Sequence, residues 1–263
     1  MRKITINLAA VAAFCIVVAS PALVSSSCAT PKTEQEDTTI IREDSGITAL
    51  KYSSPEVPAS IEFCGKTIDL SRFDRHERMD RELLAFTYMH STSLQMLKKA
   101  NRYFPIVEPI LKENGIPDDF KYLMVIESNM NPTARSSAGA AGLWQFMQGT
   151  GRDYGLEVNN NVDERYHIEK ATRAACRYLK DAYAKYKDWV AVAASYNAGQ
   201  ARIASQLAKQ DVDDSLDLQL VEETARYVYR ILAAKQLFNA PLLSVSACVH
   251  RICIRLFLIR KSL

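Results

Sequence analysis

One carboxylate stands where a solvated acid is not expected. Glu127 is preceded at helical spacings of three, four and seven positions by apolar residues, namely Met124, Leu123 and Phe120. A carboxylate on such an apolar face is partly desolvated, which favours its neutral form and raises its pKa. An acid of this kind can protonate a leaving group near neutral pH, which is the chemistry of a glycosidase acid. The structural alternative is a Glu at a helix end that reaches water or pairs with an Arg such as Arg135.

The helix that carries Glu127 is predicted to begin at Pro117. Proline is favoured at the first helical position, where its missing N–H costs nothing. Asp118 and Asp119 would then lie in the first turn, where the helix dipole favours negative charge. The acid would therefore lie at the wet end of an apolar helix.

Four short motifs occur in a fixed order. Glu127-Ser128 closes the apolar helix, and Gly142-Leu143-Trp144-Gln145 follows a loop of small residues. Ser195-Tyr196-Asn197-Ala198-Gly199 comes next, and Glu223-Thr224-Ala225-Arg226-Tyr227-Val228 lies in a late helix. Together they closely resemble the lytic murein transglycosylases of the soluble-transglycosylase and goose-type-lysozyme superfamily, in particular the catalytic domain of the membrane-bound type D enzymes. The resemblance covers roughly residues 70–238, and four motifs in order make it highly specific.

The resemblance implies a reaction with a single carboxylate. Glu127 would protonate the oxygen between N-acetylmuramic acid and N-acetylglucosamine, then take a proton from the C6 hydroxyl of the same muramic acid. That hydroxyl closes on C1, so the product ends in a 1,6-anhydro sugar and no water is consumed. The resemblance also implies roles around the acid. Ser128 would support the N-acetyl group or the hydrogen bonds of the acid, and Tyr227 would hydrogen-bond near Glu127. Gly142 and Gln145 would line the sugar groove, and Tyr196 and Asn197 would contact sugar.

Each of these residues also has a structural interpretation. Gly142 could serve a tight turn or close packing. Tyr196 to Gly199 could be a helix that ends in a Gly cap, and Tyr227 an ordinary core tyrosine. Trp144 stands where many family members have Met, which puts the shape of one sugar subsite in doubt, although the cluster Trp144, Phe146 and Met147 is better interpreted as core than as a sugar platform.

Two other functions compete with the transglycosylase. A hydrolytic muramidase would use the same acid but let water attack, and most glycosidases that use water have a second carboxylate. The candidates for that second group all lie in polar, loop-like sequence, namely Asp153, Glu157, Asp163 and Glu164. The other competitor is a non-catalytic peptidoglycan-binding module, against which the intact Glu127 argues.

The fold is predicted to be mostly α, and the resemblance implies a lysozyme-like compact multi-helix domain with a sugar-binding groove. Apolar periodicity predicts helices around Met79 to Phe86, from Ser91 to Tyr103, and from Ile106 to a stop at Gly115. Further helices are expected at residues 143–151, 168–186, 189–196, 201–209 and 220–238, and no convincing strand pattern occurs.

Four segments are predicted along the chain. Residues 1–27 have the basic start, apolar run and small residues of an export signal, and residues 28–60 resemble a flexible tether rich in Thr, Ser, Glu and Pro. Residues 61–240 form the catalytic domain, and residues 241–263 an atypical basic, apolar tail. Cys28 after small residues resembles a lipidation site, which would place the protein at the periplasmic side of the outer membrane; ordinary signal cleavage would leave it soluble in the periplasm.

The distribution of charge and the spacing of the histidines indicate which partners and cofactors to expect. The net charge is +3, yet residues 1–27 and 241–263 carry basic residues and no acids, so the part between them is acidic and no nucleic-acid partner is expected. The four histidines lack metal-ligand spacing, so neither a metal nor another cofactor is expected. Peptidoglycan glycan strands are the expected partner, and the membrane is expected to be contacted through the N-terminal lipid anchor. The oligomeric state is open. The cysteines that remain after Cys15 and Cys28 allow three disulfide pairings, although Cys176 is best interpreted as a buried thiol.

Overall fold

The computed structural model describes residues 55–239. The predicted export signal, Cys28, most of the predicted tether and the tail from residue 241 lie outside the described residues.

The described part is mostly helical, which confirms the predicted fold class. Within residues 55–239, two short strands precede eight α-helices. The strands are β1 (Ser60–Phe63) and β2 (Lys66–Asp69), and the helices are α1 (Phe73–Tyr88), α2 (His90–Glu113), α3 (Phe120–Ser128), α4 (Gln148–Asp153), α5 (Ile168–Tyr186), α6 (Trp189–Ala198), α7 (Gln200–Lys209) and α8 (Glu222–Asn239). Two single turns of 3₁₀-helix lie at Glu164–Tyr166 and Ser215–Asp217.

The β-hairpin corrects the expectation that the chain has no strands. β1 and β2 pair antiparallel, with Ile61 opposite Ile68. Cys64 and Gly65 form the two-residue turn, and both have positive φ (52° and 81°), as a type I′ turn requires. Each strand has only four residues, which is too short for a clear alternating pattern in the sequence.

Helix α2 corrects the prediction of two helices between Ser91 and Gly115. It runs without a break through Pro105 and Pro109. Each proline removes one backbone hydrogen bond, and the spacing of four puts both on one face of the helix. The buried residues continue across the prolines at spacings of three and four, namely Met96, Ala100, Tyr103, Val107, Ile110 and Leu111. Burial of this single stripe therefore outweighs the local effect of the prolines.

Helix α3 lies in the centre of the core. It packs against α2 and α8, and every residue of it except Lys121 and Glu127 is buried. The prediction placed the start of this helix three residues too early. Residues 117–119 instead form a turn, in which their carbonyls accept hydrogen bonds from the N–H groups three residues later. The Asp119 carboxylate accepts the Cys64 N–H at 2.6 Å, so it links the hairpin to the start of the helix.

The predicted helix at residues 143–151 was also wrong at its start, since α4 begins only at Gln148. Gln145 has a left-handed backbone (φ 47°), which no α-helix contains. The preceding residues form irregular turns, held by single β-bridges between Ala141 and both Arg135 and Phe146. This loop carries the second motif.

The remaining helices surround α3. α1 packs along α8, and α5 packs on α2 and α6. The alanines of α5 and α6 that were predicted to permit close packing are all buried, namely Ala174, Ala175, Ala191, Ala193 and Ala194. Cys176 is a free, buried thiol, as predicted. Among the helices at residues 55–239, none is both long and apolar enough to span a bilayer.

Candidate active site

Glu127 occupies the last turn of α3, where the helix leaves the core. The helix ends at Ser128, and the next two residues, Asn129 and Met130, both have left-handed backbones (φ 48° and 59°). Asparagine tolerates this conformation and commonly ends helices. The chain therefore turns away directly after the acid, and Glu127 is half-buried between core and surface.

Burial sets the protonation of Glu127. Loss of hydration raises the pKa of the Glu127 carboxyl to about 7, in the direction predicted from the sequence. A hydrogen bond from Tyr227 and the positive charge of Arg230 act in the opposite direction and lower this pKa. Within residues 55–239, Glu127 takes part in no ion pair, so the pairing with Arg135 is not formed. Near neutral pH the acid is therefore present in both its protonated and its ionised forms.

Tyr227 of α8 contacts the acid directly. Its hydroxyl donates a hydrogen bond to Oε1 of Glu127, and its side chain is buried. Burial and the neighbouring Glu127 carboxylate raise the pKa of Tyr227 well above its ordinary value. The phenol therefore stays a hydrogen-bond donor, and it occupies one carboxyl oxygen while Oε2 remains for a ligand.

A small cleft contains three of the residues named from the motifs. This cleft, of about 290 Å³, is lined by Gln145, Phe146, Met147, Thr150, Tyr178 and Tyr196 to Gly199. The Gln145 amide donates to the carbonyls of Gly142 (2.7 Å) and Ala134 (3.2 Å). These two bonds use the amide hydrogens, so the amide oxygen remains free to accept one from a ligand.

The third motif joins this cleft to α8. The Tyr196 hydroxyl donates to the Trp144 carbonyl at 2.8 Å, which ties α6 to the loop of the second motif. The Asn197 side-chain oxygen accepts the Thr224 hydroxyl at 2.9 Å. Burial raises the pKa of Tyr196, and the Glu127 carboxylate raises it further. Tyr196 thus lies near Glu127, and Asn197 is bonded to the helix that carries Tyr227.

Gly142 lies beside the cleft but does not line it. Its φ is +78°, and a Cβ at this position would lie 1.9 Å from the Arg165 carbonyl oxygen. The buried Arg165 guanidinium donates to the carbonyls of Gly139 (2.8 Å) and Phe146 (3.0 Å) and pairs with Asp163 at 2.7 Å. Gly142 therefore serves the close packing of two loops, in agreement with its structural interpretation.

Two further motif residues point into the protein. The buried Ser128 hydroxyl donates to the Met124 carbonyl of its own helix at 3.2 Å. Trp144 is fully buried, and its indole N–H donates to Thr172 at 2.9 Å. Of the cluster Trp144, Phe146 and Met147, which was predicted to be core, only Met147 is exposed. The replacement of Met by Trp144 therefore changes the core beneath the cleft and not a surface of direct sugar contact.

Two of the other candidate carboxylates, Asp163 and Glu164, have pKa values shifted in the opposite direction. The Arg165 guanidinium holds the pKa of Asp163 below its ordinary value. The pKa of Glu164 is lowered by the Glu157 N–H and by Lys170. Asp163 and Glu164 are therefore ionised partners of structural cations. No set of three or more metal-ligating side chains occurs within residues 55–239.

Sequence reasoning missed three residues of the site. Arg165 orders the loop before Gln145, Thr224 holds Asn197, and Arg230 acts on the charge of Glu127. Thr224 and Arg230 lie three positions before and after Tyr227, so helical spacing alone could have placed both on the face of α8 that carries the tyrosine. No comparable pattern marks Arg165.

Comparison with known proteins finds related sequences. Residues 105–217 match the sequence model of the transglycosylase SLT domain family. This segment is similar to transglycosylase SLT domains. It contains Glu127, the loop with Gln145, and the motif with Tyr196 and Asn197, whereas Tyr227 lies beyond its end.

Two similar proteins are longer than this chain. The chain is 30% identical over 168 residues to membrane-bound lytic murein transglycosylase D of Escherichia coli (strain K12), which covers 62% of this chain and 36% of the relative. It is 29% identical over 150 residues to membrane-bound lytic murein transglycosylase C of Haemophilus ducreyi, a match that covers 51% of this chain and 40% of the relative. The chain thus spans about a third of the length of the E. coli relative.

A solved structure also matches. It is an inactive mutant of the lytic transglycosylase Slt from Pseudomonas aeruginosa, with 22% identity and a TM-score of 0.45, covering 53% of this chain and 24% of that chain.

Proposed function

We propose that this chain is a lytic transglycosylase that cleaves the β-1,4 bond between N-acetylmuramic acid and N-acetylglucosamine in peptidoglycan. The observation that carries the proposal is the half-buried Glu127, with a pKa of about 7 and one oxygen bonded to Tyr227, in an SLT domain. The names of the relatives, two membrane-bound lytic murein transglycosylases, support the same substrate.

In the first step, protonated Glu127 gives its proton to the glycosidic oxygen. The bond from C1 of the muramic acid to that oxygen breaks, and positive charge develops at C1. Glu127 is left as a carboxylate, and the hydrogen bond from Tyr227 stabilises this charged form. A pKa of about 7 keeps a useful fraction of the acid protonated at neutral pH.

In the second step, the same carboxylate acts as a base. It takes the proton from the C6 hydroxyl of the muramic acid, whose oxygen then bonds to C1 and closes the 1,6-anhydro ring. Glu127 is protonated again at the end, so one group completes the cycle. The ion pairs of Asp163 with Arg165 and of Glu164 with Lys170 support this single-carboxylate mechanism over hydrolysis with a second carboxylate, because both groups are already bound by cations.

The sugar groove is proposed to pass Gln145, Tyr196 and Asn197. Gln145 has a free amide oxygen, and the cleft beside it has hydrogen-bonding groups among aromatic side chains. Sugars are bound by such combinations, because ring hydroxyls need hydrogen bonds and the apolar sugar face packs on aromatic rings.

The remaining parts of the chain are proposed to bring the domain to the wall. In this proposal residues 1–27 direct export, Cys28 carries lipid at the outer membrane, and residues 28–60 let the domain at 61–240 reach the glycan. Small residues before Cys28 and the tether-like composition after it support the lipid anchor. Palmitate labelling of the expressed chain beside its Cys28→Ala variant tests the anchor. The wild type should give a labelled band that the variant lacks, whereas no labelled band for either protein would contradict the anchor.

Mass spectrometry of the products tests the reaction. Purified peptidoglycan is digested with the wild-type chain, with Glu127→Gln, and with Glu157→Gln as a matched change at an exposed loop carboxylate. We expect 1,6-anhydromuramic ends from the wild type and from Glu157→Gln, and none from Glu127→Gln. Reducing muramic acid ends would indicate a muramidase instead, and retention on the wall without release a binding module.

A further inference from the structure

A second, larger cleft lies at the end of α3 that carries the acid. This Arg230 cleft, of about 510 Å³, opens between α1, the end of α3 and α8. Ile126 and Asn129, which flank Glu127 in sequence, form part of its wall. The rest of its lining comes from Glu82, Ala85, Phe86, Met89, Glu222, Glu223, Arg226 and Arg230.

Most charges in the Arg230 cleft are already paired. The buried Glu82 carboxylate accepts Arg226 at 2.7 Å and lies 3.3 Å from Arg81. Arg81 in turn donates to Glu222 at 2.8 Å. Removing a partner from such a buried pair would leave an uncompensated charge, so these groups serve to join α1 to α8. The charges of Arg81 and Arg226 are thus already balanced by carboxylates.

Arg230 differs from these cations. It is half-buried, and its side chain takes part in none of the ion pairs or side-chain hydrogen bonds within residues 55–239. It follows Tyr227 by three residues, hence by about one turn of α8. Its charge acts on the Glu127 carboxyl, whose pKa it lowers. Arg230 thus presents an uncommitted guanidinium to a cleft whose wall includes Ile126 and Asn129, on either side of Glu127 in sequence.

The acidic residues of the cleft leave this position open to an anion. Glu82 and Glu222 are neutralised by their arginines. Glu223 is exposed and has no ion pair among the described residues, but it precedes Arg230 by seven positions, about 10 Å along the helix. Apart from Glu127 itself, the unpaired carboxylate on the cleft wall is thus about two turns of α8 away from Arg230.

A glycan strand of peptidoglycan carries such an anion only on its muramyl residues. Their hydroxyls and acetamides are neutral, whereas the lactyl ether on C3 ends in a carboxylate or, when that is amidated, in a peptide with carboxylates of its own. A planar guanidinium binds a carboxylate through two parallel hydrogen bonds. A polymer made only of N-acetylglucosamine lacks this group.

Resting on the proposed function, we propose that Arg230 is a specificity residue that binds the carboxylate of the muramyl side arm, and so selects muramyl strands over neutral polymers of N-acetylglucosamine. Its position beside Glu127 places the side arm next to the scissile bond. A strand with the wrong sugar in register would leave the guanidinium without its partner, which costs binding free energy.

Binding by three oligosaccharides tests this role in the uncleaving Glu127→Gln chain. The ligands are a muramyl oligomer with free lactyl groups, the same oligomer with its peptides, and an N-acetylglucosamine oligomer of equal length. Arg230→Gln and Arg230→Lys are compared in that background, with Arg202→Gln as an equal charge change at an exposed site on α7. Thermal melting of each variant monitors folding.

We expect Arg230→Gln to weaken binding of at least one muramyl oligomer about tenfold or more, as the loss of a charge-assisted hydrogen bond predicts. The muramyl oligomer that loses affinity identifies the anion as the lactyl or the peptide carboxylate. Binding of the N-acetylglucosamine oligomer should change less than twofold, Arg230→Lys should restore part of the loss, and Arg202→Gln should have no effect.

An equal loss for all three ligands, or no loss for any, would overturn the role of Arg230 while leaving the transglycosylase proposal intact. A wild-type chain that neither binds nor cleaves any muramyl strand would remove both proposals together.

Discussion

The ionised form of Glu127 is expected to cost the folded protein stability. Its pKa lies at about 7 in the folded chain, against 4.5 for an ordinary Glu, and burial is the largest cause. For an acid with a raised folded-state pKa, stability is fully present below the unfolded-state pKa and is lost as pH rises through the folded-state value. At about 1.4 kcal/mol per pKa unit, the wild type should lose roughly 3 kcal/mol between about pH 4.5 and pH 8 through this group.

Glu127→Gln removes the ionisation and keeps a side-chain oxygen that can accept the Tyr227 hydroxyl. The free energy of unfolding of the variant minus that of the wild type should therefore rise by roughly 3 kcal/mol from pH 4 to pH 8. Urea unfolding followed by circular dichroism at both pH values measures this change, and all other titrating groups cancel in the difference.

Glu157→Gln makes the same chemical change at an exposed carboxylate and is measured beside it as the control. The reasoning about desolvation would be refuted if the difference for Glu127→Gln did not change between pH 4 and pH 8, or if the variant became relatively less stable at pH 8.

Two further substitutions test the surroundings of the acid. Tyr227→Phe removes a hydrogen bond that lowers the pKa of Glu127, so the alkaline limb of the pH–rate profile should move to higher pH; a limb that moves to lower pH would contradict this assignment. Gly142→Ala would put a methyl group 1.9 Å from the Arg165 carbonyl at a positive φ, which should cost about 2–4 kcal/mol of stability and be seen as a lower melting temperature. Gly149→Ala, a helical position with no atom within 4 Å, is the control and should be neutral or slightly stabilising.

The sequence predicted the helices where burial and local spacing agree. Helix α5 was predicted with its observed bounds, because its apolar residues recur on one face over 19 residues and its first residue follows a polar cap. The direction of the Glu127 pKa followed from the same kind of periodicity. Local pattern was sufficient in both cases.

Elsewhere distant contacts decided the structure. Pro105 and Pro109 indicated a break that burial of α2 overrides, and Asp119 indicated a first helical turn but instead binds the Cys64 N–H of the hairpin. The packing of Gly142 depends on the carbonyl of Arg165, a residue 23 positions later. Such partners cannot be read from spacing, because nothing within either segment specifies the other.

The placement of Glu127 in the last turn of a helix buried on nearly all sides limits how the length of this segment can vary. Each residue of an α-helix adds a rotation of about 100° and a rise of 1.5 Å. One inserted or deleted residue between Phe120 and Glu127 would turn the carboxyl away from Tyr227 or force the buried side chains of α3 out of register. Loops on the surface can gain or lose residues over generations, whereas this helix has to keep its length.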